Sequence, residues 1–135
     1  MNSPVSPLQA AESLTEFWLP RVIAELDDFY VKVARLKGTL AWHNHEQEDE
    51  LFLVLKGSLR IEFDDGHIDL QAGDLHVIPK GVQHNPIAAD ECLVMLIERK
   101  STLHTGQIRT SKTRDISEQL AEFQDTGQQS NEDQK

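Results

Sequence analysis

The sequence predicts an all-β domain, an antiparallel sandwich or barrel, on three observations. Between residues 21 and 34, apolar side chains recur at a period of two, as in strands with one buried face. From there to about Glu98, turn signals such as Lys56-Gly57 and Lys80-Gly81 recur at short, regular intervals, which argues against a βαβ fold. Asp65-Gly66 lies between two apolar runs and indicates a tight hairpin, because both residues tolerate positive φ angles.

Length and charge limit the classes of protein to consider. The chain has 135 residues, which suffice for one domain with its own core. A formal net charge of -10 gives an acidic surface that repels nucleic acids and anionic membranes. The basic residues form no stripe, so we expect neither a nucleic-acid nor a membrane partner.

Three features predict a cytoplasmic protein. Cys92 is the only cysteine, so no disulfide can form within the chain, and a reducing compartment is the simpler expectation. Residues 1–14 lack the basic and apolar regions of a secretory signal. No apolar run approaches the length that crosses a bilayer.

The chain divides into three predicted segments. Residues 1–20 form a leader and a short amphipathic helix that starts at Ser6-Pro7 and runs to about Trp18. Residues 21–106 form the β-barrel. Residues 107–135 form a C-terminal segment with a short helix and then a disordered tail, because the end of the chain contains no hydrophobic residue.

Three of the six histidines and one carboxylate fall in a definite arrangement. His43 and His45 are separated by one residue, so on a strand both side chains point to the same side. Glu50 opens an apolar run that reads as the next strand, and His84 follows a Pro-x-Gly turn that could return a distant strand to the same point. Imidazole nitrogens and carboxylate oxygens are the donors that first-row metals prefer.

The glycines and proline around these residues resemble the two motifs of the cupin superfamily. The first motif reads GTLAWHNHEQEDELFLVLKG from Gly38 to Gly57, and the second reads GDLHVIPKGVQH from Gly73 to His84. The resemblance extends from about Trp18 to Gly106 and is to small cupins with a single domain.

This resemblance implies both a fold and a site. The fold is a double-stranded β-helix, or jelly-roll barrel, with a short N-terminal helix and a short C-terminal helix or tail. The site is one divalent metal ion held by His43, His45, Glu50 and His84. These ligands suit Fe, Mn, Ni and Zn alike, so the sequence does not choose the metal.

The other histidines, the acidic loop and Trp42 are not expected to bind the metal. His76 is expected to pack within its strand, and His67 and His104 are assigned no role. The acidic loop 46–49 is expected to be solvated, although one of its carboxylates could hydrogen-bond the second nitrogen of a ligand histidine. Trp42 should face away from His43 and favours a place in the core or an interface.

Both faces of the strand that Glu50 opens are apolar. Leu51, Leu53 and Leu55 form one face, and Phe52 and Val54 form the other. The strand is therefore covered twice, by the barrel interior and by either the N-terminal helix or a second subunit. A homodimer is the favoured interpretation.

Two functions from different classes fit the sequence. The first is a small-molecule metalloenzyme, either dioxygenase-like or a metal-assisted isomerase or hydrolase, in which Glu50 is the catalytic proton acceptor. The second is a non-catalytic module that binds a sugar or organic acid through the metal. Because one fold hosts many functions, the sequence does not settle the choice.

Overall fold

The computed structural model describes residues 3–120 and confirms the all-β prediction. One short helix precedes seven strands, and residues 116–120 are helical as well. The predicted tail lies outside the described residues. Within residues 3–120, no helix is both long and apolar enough to cross a membrane. The elements are α1 (Pro7–Glu12), β1 (Arg21–Leu26), β2 (Phe29–Thr39), β3 (Glu50–Lys56), β4 (Ser58–Phe63), β5 (Gly66–Gln71), β6 (Leu75–Ile78) and β7 (Asn85–Arg99).

The strands form two antiparallel layers that the long strand β7 joins. One layer has the strand order β1-β2-β7-β3-β6, and the other is built from β4 and β5 with the start of β7. A register shift between Leu36 and Gly38 bends β2, so that its end also pairs with the start of β7. The result is the jelly-roll barrel that the motifs imply.

The core lies between the layers and comes from inward-facing side chains of alternate strand positions. Phe52 and Val54 of β3 meet Leu59 and Ile61 of β4 inside the barrel. The turn between β3 and β4 requires Gly57, because a Cβ there would lie 2.7 Å from the carbonyl oxygen of Glu91. Burial of this apolar surface is the main stabilising contribution to the barrel.

The N-terminal helix is shorter than the sequence pattern predicts. Ser6 caps it as expected, accepting a hydrogen bond from the backbone N–H of Gln9, but the helix ends at Glu12. Trp18 instead takes a positive φ of 62° and donates from its indole nitrogen to the carbonyl oxygen of Lys37 at 2.8 Å. Bonding to β2 therefore replaces the last predicted helical turn.

Candidate metal centre

The structure brings the four predicted ligand residues together. One ligand atom from each of His43, His45, Glu50 and His84 lies within 4.8 Å of the others, and all four residues are buried. Glu50 is the first residue of β3, and His84 directly precedes β7. His43 and His45 lie in the connection between β2 and β3.

Backbone pairing places His43 beside His84. Their N–H groups donate to each other's carbonyl oxygens at 3.0 and 2.9 Å, and their ring centroids are 4.4 Å apart. The prediction that His43 and His45 share a strand is wrong, because His43 makes only this isolated bridge and His45 makes none. Both side chains nevertheless reach the same point.

Backbone carbonyls orient two of the rings. Nδ1 of His43 lies 2.8 Å from the carbonyl oxygen of Ala41, and Nδ1 of His84 lies 3.0 Å from that of Val82. Each Nδ1 must carry a hydrogen to make this bond, which leaves the lone pair on Nε2, the nitrogen available to a metal.

The acidic loop does not support the ligand histidines in the way the sequence suggested. The carboxylate of Asp49 accepts a hydrogen bond from the backbone N–H of Lys80 at 2.9 Å. Glu48 accepts one from the hydroxyl of Ser101 at 3.0 Å. These two carboxylates bond to neighbouring loops, while backbone carbonyls orient the rings of His43 and His84.

The remaining polar atoms of the cluster fit a divalent cation. Oε1 of Glu50, Nε2 of His84 and both ring nitrogens of His45 are buried and have no hydrogen-bond partner among the described residues. Oε1 of Glu50 lies 3.6 Å from Nε2 of His45 and 3.4 Å from Nε2 of His84. Buried polar atoms are nearly always satisfied, and a cation bound by Glu50, His84 and Nε2 of His45 would satisfy three of these four atoms.

The electrostatics of the cluster also favour a cation. Burial and the neighbouring His84 lower the pKa of His43 to about 4, so its ring is neutral at pH 7. Burial opposes ionisation of Glu50, but the neighbouring His45 and His84 outweigh it and hold the pKa of Glu50 well below its usual value. The pKa of His45 is raised because Glu50 outweighs the effect of burial.

A small cavity borders the cluster inside the barrel. His43 and Glu50 form part of its wall, and about 30 Å³ of it is accessible to water. The wall also includes Glu98 and His104, and the rest is largely apolar, with Trp18, Leu36, Phe52 and Leu96 among the lining residues. This volume is about that of one water molecule, so a larger ligand could occupy the cavity only if its walls moved apart.

Sequence reasoning missed a buried charged network behind this cavity. The ammonium of Lys32 donates to Glu98 at 2.7 Å and to the side-chain oxygen of Gln119 at 2.6 Å. Glu98 is the partner of Glu50 in the pairing of β3 with β7. Burial raises the pKa of Glu98 to about 8, Lys32 opposes the rise, and Glu50 adds to it.

The remaining histidines and Trp42 lie outside the ligand cluster. His76 is half-buried on β6 with its ring 6.2 Å from that of Phe63, and His67 is exposed beside Asp69. Trp42, expected in the core or an interface, is 42% exposed in the single chain. His104, to which the sequence assigned no role, lies in the cavity wall.

Comparison with known proteins identifies the family. A family model described as a cupin domain matches residues 30–98. The chain is 38% identical to the uncharacterised protein YdbB of Bacillus subtilis over 79 residues, which are 58% of this chain and 70% of that protein.

Two solved structures show the same fold. A cupin-2 domain protein from Shewanella frigidimarina is 43% identical, with a TM-score of 0.69 over 71% of this chain and 94% of the other. Protein NMB1881 of Neisseria meningitidis is 26% identical, with a TM-score of 0.66 over 73% of this chain and all of the other. The barrel, both motifs and these matches show that the chain belongs to the cupin family.

Proposed function

We propose that this protein is a metal-dependent enzyme for a small oxygen-containing molecule, with dioxygen-dependent cleavage as its leading chemistry. The observation that carries the proposal is the convergence of four buried metal-ligand side chains, two of which, His43 and Glu50, line a small internal cavity that a substrate could fill only if its walls moved apart. Open positions distinguish catalytic from structural metal sites. A bound Fe, Mn, Ni or Zn ion would polarise substrate oxygens and, for the first three, exchange electrons with dioxygen.

The chain supplies the other parts of such a site. Glu50 carries the only carboxylate in the ligand cluster, so it is the candidate proton acceptor for an acidic hydrogen of the substrate. The largely apolar wall limits the amount of water near the cluster. Glu98 and His104 add polar groups on the same cavity that can orient a substrate.

Oxygen uptake tests this proposal. The protein, stripped with a chelator and loaded separately with Fe(II), Mn(II) and Ni(II), is mixed with enols, diketones and dihydroxybenzenes in an oxygen electrode. We expect uptake that depends on metal and substrate and falls by at least about 100-fold in Glu50→Gln, since removal of a general base costs roughly that factor. Glu12→Gln makes the same substitution at an exposed carboxylate of helix α1 and serves as the control.

The same experiment distinguishes the proposed oxygen-dependent enzyme from the alternative functions. Tight metal-dependent binding of a sugar or organic acid, with no oxygen uptake and no product for any substrate, would show a binding module. Metal-dependent turnover without oxygen uptake would indicate an isomerase or hydrolase.

We also propose that the protein is a homodimer, because an apolar surface crosses the outside of the larger layer. Leu75 and Val77 of β6 are 59% and 43% exposed, and they pair with Leu53 and Leu51 of β3. Helix α1 covers a different part of this layer, around Val33 and Leu93. Exposed apolar patches of this kind mark interfaces.

Substitution on this surface is expected to separate the subunits. The double variant Leu75→Lys/Val77→Lys places two charges in the proposed interface, so light scattering after gel filtration should change from twice the mass of one chain to the mass of one chain. Leu26→Lys, at a side chain 58% exposed beside the β1–β2 turn, should remain dimeric. A wild-type protein that is monomeric at high micromolar concentration would contradict the proposal.

A further inference from the structure

His104 lies in the loop after β7, where it borders a larger cavity beside Arg114 and also lines the small cavity inside the barrel. His43 and Glu50 of the ligand cluster border the same cavity. Since most of the remaining wall is apolar, a polar ring at this position is one of the few groups that can orient a bound molecule.

The hydrogen bonding of this ring determines which nitrogen carries its hydrogen. The backbone N–H of Arg114 donates to Nδ1 of His104 at 2.9 Å. A backbone amide can only donate, so Nδ1 offers its lone pair and the neutral ring carries its hydrogen on Nε2. Burial lowers the pKa of His104 to about 4, which agrees with a neutral ring at pH 7.

The Nε2–H group is left for a ligand. Within residues 3–120, no side chain or backbone group makes a hydrogen bond to Nε2 of His104. With Nδ1 occupied by Arg114, the ring can offer the cavity only a donor.

The loop that carries His104 is fixed against the ligand cluster. Gly106 has a φ of 61° and packs on Asn44, the residue between His43 and His45, so closely that a Cβ would collide with the Asn44 carbonyl oxygen. Thr105 is fully buried, and its hydroxyl bonds to that of Thr113 at 2.7 Å. The distance between His104 and the cluster is therefore set by packing on both sides.

We propose that His104 binds the ligand of the metal centre by donating a hydrogen bond from Nε2 to one of the ligand's oxygen atoms. This inference rests on the proposed function, because it takes the ligand cluster to hold a metal. The class of ligand that fits is a compact chelator whose oxygen atoms reach the metal and whose negative charge strengthens a hydrogen bond from the ring.

Acetohydroxamate, a small anionic chelator with two oxygen donors, is a suitable probe. Its dissociation constant is measured on Co(II)-loaded protein from the change in the cobalt absorption bands, for wild type, His104→Phe and His104→Gln. His104→Phe keeps a planar ring and loses the donor, so we expect binding about 10-fold weaker, the effect of one lost hydrogen bond to a charged group. His104→Gln retains an N–H donor and should bind within about threefold of wild type, a difference below 1 kcal/mol.

Co(II) affinity distinguishes this role from others. Because His104 is not a ligand in the proposal, all three proteins should bind Co(II) with the same affinity. Equal hydroxamate affinity in wild type and His104→Phe would overturn the inference, and so would a large loss of Co(II) affinity in His104→Phe. Wild type that binds no Co(II) would overturn the proposed function itself, a result distinct from either of these.

Discussion

Lys32→Met is expected to lower the free energy of unfolding by about 3 kcal/mol, because it leaves two buried acceptor oxygens, on Glu98 and Gln119, without their shared donor. The Lys32 side chain is only 1% exposed, and its ammonium contacts both Glu98 and Gln119. Methionine fills a similar volume, so the loss reports the missing donor. Urea denaturation of chelator-treated protein measures it without a contribution from bound metal.

Two further variants test whether the effect comes from the network. Lys37→Met makes the same substitution at an exposed position of the same strand and should change stability by less than about 0.5 kcal/mol. The double variant Lys32→Met/Glu98→Met should be more stable than the sum of the two single losses predicts, because the buried carboxyl is removed with its partner. A loss below about 1 kcal/mol in Lys32→Met would show that the pair adds little.

The ligand cluster could be predicted from the sequence because its signals are local. His43, His45 and Glu50 lie within eight consecutive residues, and the Pro-x-Gly turn before His84 marks the return of the chain. The turn glycines also indicated the strand boundaries, as in the hairpin between β4 and β5 at Asp65-Gly66. Each signal requires only a few neighbouring residues.

The features that the sequence did not reveal depend on contacts between distant residues. Lys32 is 66 residues from Glu98 and 87 from Gln119, and nothing near Lys32 shows that its charge will be buried. His104 lies in the cavity wall in a loop that Gly106 packs against Asn44, about 60 residues earlier in the chain. The predicted helix was too long for a similar reason, since residues near its end bond to β2 instead.

The second large effect concerns the metal itself. In wild type, Co(II) at about 100 times its dissociation constant is expected to stabilise the folded state by about 2.7 kcal/mol. For a domain of this size, that corresponds to a rise of roughly 10 °C in the melting temperature. The shift follows from preferential binding to the folded chain, because the four ligand atoms converge only there.

His84→Ala should abolish most of this rise. His84 is completely buried, its Nδ1 is held by the carbonyl oxygen of Val82, and its unpartnered Nε2 faces the cluster. Loss of one of four ligands should weaken binding by at least about 100-fold, so the same Co(II) concentration would raise the melting temperature by no more than roughly 2 °C.

Each variant is compared with itself, as the melting temperature with Co(II) minus that without it, so stability lost through the mutation does not affect the result. His84→Ala also removes a buried ring and will melt at a lower temperature without metal, so only the difference between loaded and unloaded protein is informative. His76→Ala makes the same substitution at a half-buried histidine outside the cluster and should retain the full shift. If both variants retained it, Co(II) would bind elsewhere. A shift lost only in His84→Ala would place the ion at the end of the barrel, where His104 and the cavity meet it.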